Sequence, residues 1–230
     1  MKLKVLYEDN HLIAVYKPAG ILTQGDSSKD VCMMDMVKDY LKKKYHKPYN
    51  VFLGLLHRLD RQVQGIVLFA KTSKGASRLS EQFRSRKVEK IYHAVVLGEP
   101  KRDLEKLVSF LKKNEKENIK RAELFYEVLA SNKKYSLLKI RLQTGRFHQI
   151  RVQLSLMGFP ILGDVRYGAP FLLPDKNIAL SATSLSFKLA TSKKIISSSP
   201  PFSSYESSVK EDMEKISIPI PGEWREYVKF

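Results

Sequence analysis

The chain has 230 residues, about one and a half times the ~150 residues of a typical single domain. Apolar residues make up 43% and charged residues 28%, a balance that excludes a disordered or collagen-like chain. No uncharged apolar run approaches the ~20 residues of a membrane span, and the N-terminus becomes polar too early for a signal peptide. The single cysteine, Cys32, excludes an internal disulfide and a thiolate zinc site. We therefore expect a soluble, cytoplasmic protein with no membrane partner.

The charge of the chain indicates a polyanionic partner. There are 41 Lys and Arg against 24 Asp and Glu, which gives a formal net charge of +17. Such an excess attracts nucleic acid, because each phosphate that a cation neutralises releases a condensed counterion. A basic surface kept for solubility, or a genome that favours lysine, would give the same excess. Charge alone separates neither RNA from DNA nor an enzyme from a binding protein.

The N-terminal half is predicted to mix strands and helices. Residues 3–17 read as a hairpin, because two apolar runs flank a turn-forming Asp-Asn pair. Apolar residues at helical spacing predict a helix over 31–45, and Ser73 is placed to cap a second helix. Strands are predicted over 65–71 and 92–97.

The C-terminal half continues without regular alternation of strands and helices, which indicates an α+β fold rather than a doubly wound sheet. Residues 101–121 are dense in charge and carry only a thin apolar stripe, so we interpret them as a solvent-facing insertion. After a second predicted hairpin, Thr144 is placed to cap a helix that Gly158 ends. From about residue 191 the chain is rich in Ser and Pro. Residues 1–190 are therefore predicted to form one domain, and 191–230 an extension that packs on it or trails from it.

Polar residues interrupt the apolar stretch before residue 65, in the run His57-Arg-Leu-Asp60-Arg61. Polar side chains that enter a core-like region need partners. A surface turn with ordinary ion pairs would explain the run equally well. His57 and Asp60 are three residues apart and could ligate a metal on a helix. The histidines of the chain are scattered, however, and we expect no metal site.

A second polar run, residues 144–151, leads into the last predicted helix. If that helix begins near residue 145, Arg151 lies on its apolar face, three residues before Leu154. An arginine buried there needs a carboxylate partner, because an unpaired buried charge is very costly. Asp60 is the obvious candidate, and extension of the side chain to the surface is the alternative. No serine-hydrolase elbow or phosphate-binding glycine loop is found elsewhere.

Taken together, these runs resemble the motifs of the RluA family of pseudouridine synthases. The matching segments, in chain order, are 10–20 (ending Lys-Pro-Ala-Gly), 57–65 (His-Arg-Leu-Asp), 88–92 (Lys90-x-Tyr92), 144–151 (Thr-Gly-Arg-Phe-His-Gln-Ile-Arg) and 158–168 (with Gly163-Asp164). The resemblance implies a two-lobed catalytic domain around a mixed, mainly antiparallel sheet. Because it starts near residue 5, we expect a compact member without the S4 RNA-binding module that many members carry.

Two positions depart from the pattern of the family. Val63-Gln64 stands where Thr-Ser is common, and Ser181 stands where the family often has His. Neither position is the presumed nucleophile, so we expect effects on substrate context or local packing.

The resemblance implies a reaction in which uracil is detached from its ribose, turned and rejoined through C5, without a metal or organic cofactor. Asp60 would be the catalytic carboxylate, as nucleophile or as base, and Arg151 would hold it ionised and in position. Tyr92 would stack on the flipped uracil and could assist as a base. Arg58 would enter the gap that the base leaves. The other implied substrate contacts are His57, Arg61, Arg146, His148 and Ile150.

The expected partner is structured rRNA or tRNA, bound by a monomer, and no DNA. Arg84, Arg86 and Lys87 follow a predicted helix and are either phosphate contacts or a solvated helix end. Two other functions fit some of the same residues. One is a non-catalytic RNA-binding or ribosome-assembly factor on the same scaffold, favoured by the charge and by Val63-Gln64. The weaker one is a metal-dependent nuclease that uses His57 and Asp60.

Overall fold

The computed structural model describes residues 2–112, 118–174, 177–189 and 213–230. The Ser- and Pro-rich stretch around residues 197–201 lies outside the described residues. No helix in the described parts of the chain is both long enough and apolar enough to cross a membrane.

Ten strands form a single sheet in the described residues. The strands are β1 (Lys4–Glu8), β2 (Leu12–Lys17), β3 (Gly54–Leu55), β4 (Gln64–Ala70), β5 (Glu89–Leu97), β6 (Leu104–Leu111), β7 (Lys120–Ser131), β8 (Tyr135–Leu142), β9 (Leu180–Phe187) and β10 (Glu214–Ser217). The helices are α1 (Met33–Lys44), α2 (Ser73–Arg84) and α3 (Gln149–Leu156).

The strand order is β1-β2-β4-β9-β5-β8-β7-β6, with β3 paired to β4 and β10 paired to β9. Among these described strands the pairing of β4 with β9 is parallel and all others are antiparallel. The prediction of an α+β fold around a mixed, mainly antiparallel sheet is therefore confirmed.

Apolar side chains cover both faces of the central strands. Along β2, Ile13 and Val15 pack in the larger core cluster with residues of α1 and α3, whereas Leu12 and Ala14 pack in a smaller cluster with Leu79 of α2. Successive side chains of a strand point to opposite faces. Helices α1 and α3 therefore cover one face of the sheet, and α2 covers the other.

Gly65 allows the only parallel pairing among the described strands. It lies opposite Ala182 of β9 and has a φ of +128°, a conformation that side chains rarely adopt. A Cβ atom at this position would clash with the backbone of Ala182. The glycine after the His-Arg-Leu-Asp run thus lets β4 approach β9 closely, just beyond the loop that carries Asp60.

We expect Gly65→Ala to destabilise the fold by about 2–3 kcal/mol, because it adds backbone strain and a steric clash together. Urea unfolding of the purified variant measures this loss. Gly25→Ala is the matched control, because a Cβ there meets nothing within 4 Å. Equal stability of both variants would contradict the account of Gly65.

The prediction of a solvent-facing insertion over 101–121 is wrong for its described residues. Leu104–Leu111 form β6, which pairs along its whole length with the first part of β7. Side chains of β6 alternate between partly buried and exposed positions, so the thin apolar stripe is one face of a strand. Residues 113–117, within the predicted insertion, lie outside the described residues.

Two predicted helix starts are also displaced. Helix α3 begins at Gln149 rather than near 145, because His148 has a left-handed φ of 50° and the segment before it is a loop. Thr144 does not cap the helix; its hydroxyl donates to Oε1 of Gln149 and accepts from the amide of Glu123. At α2 the capping side chain is Thr72, not Ser73, and it accepts from the amide of Gly75.

Part of the predicted C-terminal extension packs on the domain. Strand β10 pairs with β9, and the side chain of Trp224 is buried in the larger core cluster. Residues 213–230 therefore add an edge strand and an aromatic anchor to the sheet.

Glu8 of β1 joins three elements through its carboxylate. It accepts hydrogen bonds from Lys44 Nζ (2.8 Å), Lys71 Nζ (2.6 Å), Tyr45 Oη (2.6 Å) and Tyr40 Oη (3.1 Å). Burial opposes the charge of Glu8, but these hydrogen bonds outweigh burial and lower its pKa to about 2. The cluster ties the end of α1 and the residue after β4 to β1.

We expect Glu8→Gln to cost about 2 kcal/mol of stability at pH 7. Because the pKa of Glu8 is lowered on folding, its stabilisation is present above pH 4.5 and is lost as the pH falls toward 2. The difference between wild type and variant in urea unfolding should therefore shrink over that range. Glu89→Gln, at an exposed position of β5, is the control; a deficit that does not depend on pH would contradict the prediction.

Candidate active site

A pocket of about 760 Å³ opens beside the central strands. Its walls come from the loop before β4, the turn from α2 into β5, the β6–β7 hairpin and the loop that leads into α3. The two polar runs that stand out in the sequence, residues 57–61 and 144–151, therefore meet at one site. Asp60 lies in the pocket wall, with 30% of its side chain exposed.

The backbone around Asp60 is held by the segment that follows β2. Thr23 exchanges two hydrogen bonds with the backbone of Leu59, donating to the carbonyl at 2.9 Å and accepting from the amide at 3.1 Å. The carbonyl of Arg61 accepts from the amide of Gly20 at 2.7 Å and from Nζ of Lys17 at 3.1 Å. Residues on both sides of Asp60 are thus fixed, which leaves its carboxylate a defined position.

Lys17 is fully buried, and burial lowers its pKa to about 7. Besides the carbonyl of Arg61 it donates to the carbonyl of Pro18. It thereby links the Lys-Pro-Ala-Gly segment to the loop that carries Asp60. Lys17 is part of the Lys-Pro-Ala-Gly motif, but no pattern in the sequence predicts its contact with the carbonyl of Arg61.

Arg151 is the partner of Asp60 that the sequence predicts. Its side chain is 2% exposed, and Nη1 lies 3.2 Å from Oδ2 of Asp60. The same guanidinium forms a two-pronged pair with Asp164, through Nε at 2.7 Å and Nη2 at 2.8 Å. Burial opposes the charge of Arg151, but the two carboxylates outweigh burial and raise its pKa. Asp60 is therefore held by Arg151, whose guanidinium is itself fixed by Asp164.

His148 lies next to the carboxylate of Asp60. Its Nε2 is 3.6 Å from Oδ2 of Asp60, and its Nδ1 is 2.8 Å from the hydroxyl of Tyr167. The ring also stacks on Phe147, with centroids 3.7 Å apart. Burial lowers the pKa of His148, and the nearby charge of Asp60 offsets only part of this effect. Near pH 7 the neighbour of the carboxylate is thus a neutral ring.

Tyr92 and Ile150 form an apolar part of the pocket wall. Their exposures are 8% and 5%. Burial and the charge of Asp60 raise the pKa of Tyr92, so the phenol stays protonated near neutral pH. This favours a ring that stacks or donates a hydrogen bond over a phenolate base.

The ring of His57 faces the core side of the pocket wall. Its Nε2 accepts a hydrogen bond from the amide of Leu68, and its ring stacks on Phe83 at 5.0 Å. Burial lowers the pKa of His57 to about 3. These contacts are typical of a structural histidine and leave Nε2 unable to ligate a metal. In the described ranges, no three His, Cys, Asp or Glu side chains converge as metal ligands would. The geometry therefore does not favour the nuclease alternative.

The arginines of the two motifs differ in where they lie. Arg58 and Arg146 line the pocket. Arg61, predicted as a substrate contact, is not among the lining residues: its guanidinium donates to the carbonyl of Gly20 and pairs with Asp30 at 2.8 Å. The turn after Asp60 directs it to the other side of the loop.

The pocket carries a strong excess of positive charge. Eight lining residues are cations, whereas Asp60 is the one acidic residue among those lining it in the described chain. The cations are Arg58, Arg84, Arg86, Lys90, Lys112, Lys120, Arg146 and Arg151. A site of this composition attracts a polyanion and presents one carboxylate to it.

Two residues that support the site have no signal of their own in the sequence. Asp164 is 1% exposed and belongs to an irregular segment after α3, and Tyr167 holds His148 and also faces Arg151 at 4.9 Å. Both fall in the segment 158–168 that carries the family resemblance.

Residues 11–156 match the family model described as RNA pseudouridylate synthase, which is more than half of the chain. The chain belongs to the RNA pseudouridylate synthase family. It is 34% identical over 181 residues to ribosomal large subunit pseudouridine synthase C of Rickettsia felis, covering 74% of this chain and 57% of that protein. It is 35% identical over 175 residues to synthase C of Buchnera aphidicola, covering 72% of this chain and 54% of that protein.

The chain thus spans a little over half the length of these curated relatives. Among solved structures, human RNA Pseudouridylate Synthase Domain Containing 4 superposes with a TM-score of 0.74 at 23% identity, covering 96% of this chain and 90% of that chain. At that identity the superposition shows a shared fold.

Proposed function

We propose that this chain is an RNA pseudouridine synthase that isomerises specific uridines in structured RNA. The observation that carries the proposal is the position of Asp60. Among the described residues that line the pocket it is the one carboxylate against eight cations, and Arg151 and a neutral His148 lie beside it. This is a site that binds RNA and offers it a single, fixed nucleophile or base.

The proposed reaction needs the target base outside the RNA stack. Flipping a base costs a few kcal/mol, which the cationic walls repay through phosphate contacts. Arg58 is exposed at the pocket, where its planar guanidinium fits the gap that a flipped base leaves. Tyr92 and Ile150 would then receive the uracil, because both offer apolar surface beside Asp60.

The chemistry is a rearrangement within one nucleoside. The bond from C1′ to N1 breaks, the bond from C1′ to C5 forms, the proton of C5 leaves to a base and N1 takes up a proton, so no oxidant or cofactor takes part. Asp60 would act on the ribose, either by attack on C1′ or by removal of the 2′ hydrogen. Arg151 would keep it ionised and aimed. The protonated Tyr92 would hold the ring while it turns.

Large-subunit ribosomal RNA is the substrate class we propose, because the relatives named above are ribosomal large subunit pseudouridine synthases. Transfer RNA, the other class implied by the sequence resemblance, is the alternative substrate. The monomeric state and the cytoplasmic location stay predictions.

Tritium release tests this proposal. Unmodified rRNA and tRNA pools are labelled at uridine C5, because formation of the new C–C bond expels that label. We expect the wild-type chain to release tritium from large-subunit rRNA. Release from tRNA alone would change the substrate class. No release from either pool or from assembled subunits would contradict the proposed activity.

The second candidate function is a non-catalytic RNA-binding factor, favoured by the net charge of +17 and the cationic pocket. Tight binding to rRNA without tritium release under all these conditions would support it. The two functions therefore predict opposite results in one assay.

A further inference from the structure

We propose that Arg86 and Lys90 form a subsite for one backbone phosphate of the RNA next to the target uridine. The inference deepens the proposed function and rests on it. Both residues line the pocket, which residues of the β6–β7 hairpin also line. From the sequence alone, the cations after α2 are either phosphate contacts or a solvated helix end. In the structure Arg86 lines the pocket, whereas Lys87 does not.

Lys90 is a partly buried cation for which the described residues supply no counterion. It lies within β5, and burial together with the charge of Arg86 lowers its pKa to about 8. In the described part of the chain it makes no ion pair and no side-chain hydrogen bond. Other buried cations here have partners within the protein: Arg151 pairs with Asp164, Lys71 pairs with Glu8, and Lys17 donates to two backbone carbonyls. A partly buried cation that faces no anion among the described residues is electrostatically unfavourable, so its place in the pocket points to an anionic ligand.

Arg86 occupies a backbone position that favours glycine. Its φ is +58°, and it lies two residues beyond the end of α2. Its amide donates to the carbonyl of Phe83, and the amide of Lys87 donates to the carbonyl of Gln82. Helices usually place glycine in this left-handed position, because a side chain is strained there. His46 occupies the same left-handed position after α1, so the strain by itself assigns no role. What distinguishes Arg86 is that it lines the pocket.

The location fits a phosphate of the bound nucleotide or of its neighbour. Residues 90 and 92 lie on the same face of β5, about 7 Å apart along the strand, which is within the reach of one nucleotide. Tyr92 is the proposed support for the uracil. The guanidinium of an arginine and the ammonium of a lysine can together donate hydrogen bonds to the oxygens of one phosphate. Lys87 is exposed and does not line the pocket, so it is not part of this subsite.

Salt-dependent binding of a fluorescein-labelled 12-nucleotide oligouridylate tests the subsite. The variants are Arg86→Gly, Lys90→Gln and their combination, with Lys87→Gln as the matched control and Lys90→Arg to keep the charge. We expect each single variant to weaken binding about tenfold. The slope of log affinity against log salt should fall by about 0.7, the value for one phosphate contact in a single strand. Because both residues would hold one phosphate, the double variant should lower the slope no further.

Thermal unfolding separates this role from a structural one. Arg86→Gly relieves a strained backbone, so its melting temperature should rise while its RNA affinity falls. A lower melting temperature with unchanged affinity would mean that Arg86 serves the fold. Slopes equal to that of Lys87→Gln, or no salt-dependent binding by the wild type, would overturn the subsite.

The binding assay does not depend on turnover, so the two proposals fail separately. If the slopes fall as expected and the wild type makes no pseudouridine, the subsite stands and the proposed activity is wrong. If the wild type converts uridine and the variants keep its slope and its KM, the activity stands and the subsite is wrong.

Discussion

Asp60→Ala is expected to lower uridine isomerisation at least about a thousandfold, which is the usual scale when a reacting group is removed. The carboxylate is the one acidic group that the described residues bring into the pocket, and no neighbour replaces it: His148 is neutral and Tyr92 stays protonated. Tritium release from C5-labelled rRNA, followed in single turnover, measures the loss.

The same variant should bind RNA at least as tightly as the wild type. Removal of a negative charge from a cationic pocket takes away repulsion of the phosphates. A fall in turnover with unchanged or improved affinity therefore assigns Asp60 to chemistry. Asp30→Ala is the matched control, since Asp30 pairs with Arg61 outside the pocket lining. Turnover by Asp60→Ala within tenfold of wild type would contradict the assignment.

Arg151→Met is expected to destabilise the fold by about 3–5 kcal/mol, the usual cost of removing one partner from a buried ion pair. Both Arg151 and Asp164 are almost fully buried, so the variant leaves the carboxylate of Asp164 without its cation. Turnover should fall as well, because Asp60 loses its partner. Urea unfolding gives the first effect and tritium release the second. Arg166→Met, at an exposed neighbouring position, should change stability by less than about 0.5 kcal/mol.

The double variant Arg151→Met/Asp164→Leu separates these effects. Replacement of both buried charges by apolar groups is often nearly neutral for stability. We expect the double variant to regain a large part of the lost stability and none of the lost turnover. Recovery of both would show that Arg151 serves the fold alone, and recovery of neither would contradict the ion-pair explanation of the instability.

The meeting of Asp60 and Arg151 could be predicted because it follows from a local rule. An arginine on the apolar face of a helix needs a carboxylate, and Asp60 was the acidic residue in the other polar run. Arg151 meets Asp60 although α3 begins four residues later than expected, because Arg151 lies on the helix with either start. Asp164 carries no such signal, because an irregular segment brings it to the arginine.

The β6–β7 hairpin shows where a pattern can mislead. Lys and Glu between apolar residues look like a solvated insertion, yet one face of β6 is partly buried and the strand pairs fully with β7. An edge strand with one solvated face needs few apolar residues. The contacts of Lys17 and the left-handed turn at His148 depend on tertiary structure and have no sequence periodicity at all.

Nucleoside analysis tests the central claim most directly. The purified chain and its Asp60→Asn variant are each incubated with unmodified transcripts of large-subunit rRNA and tRNA and with subunits that lack pseudouridine. The RNA is then digested and its nucleosides are separated by liquid chromatography. We predict at least about one pseudouridine per RNA molecule with the wild type, and none with Asp60→Asn. Absence of pseudouridine with the wild type, or equal amounts with both proteins, would contradict the claim that Asp60 makes this chain a pseudouridine synthase.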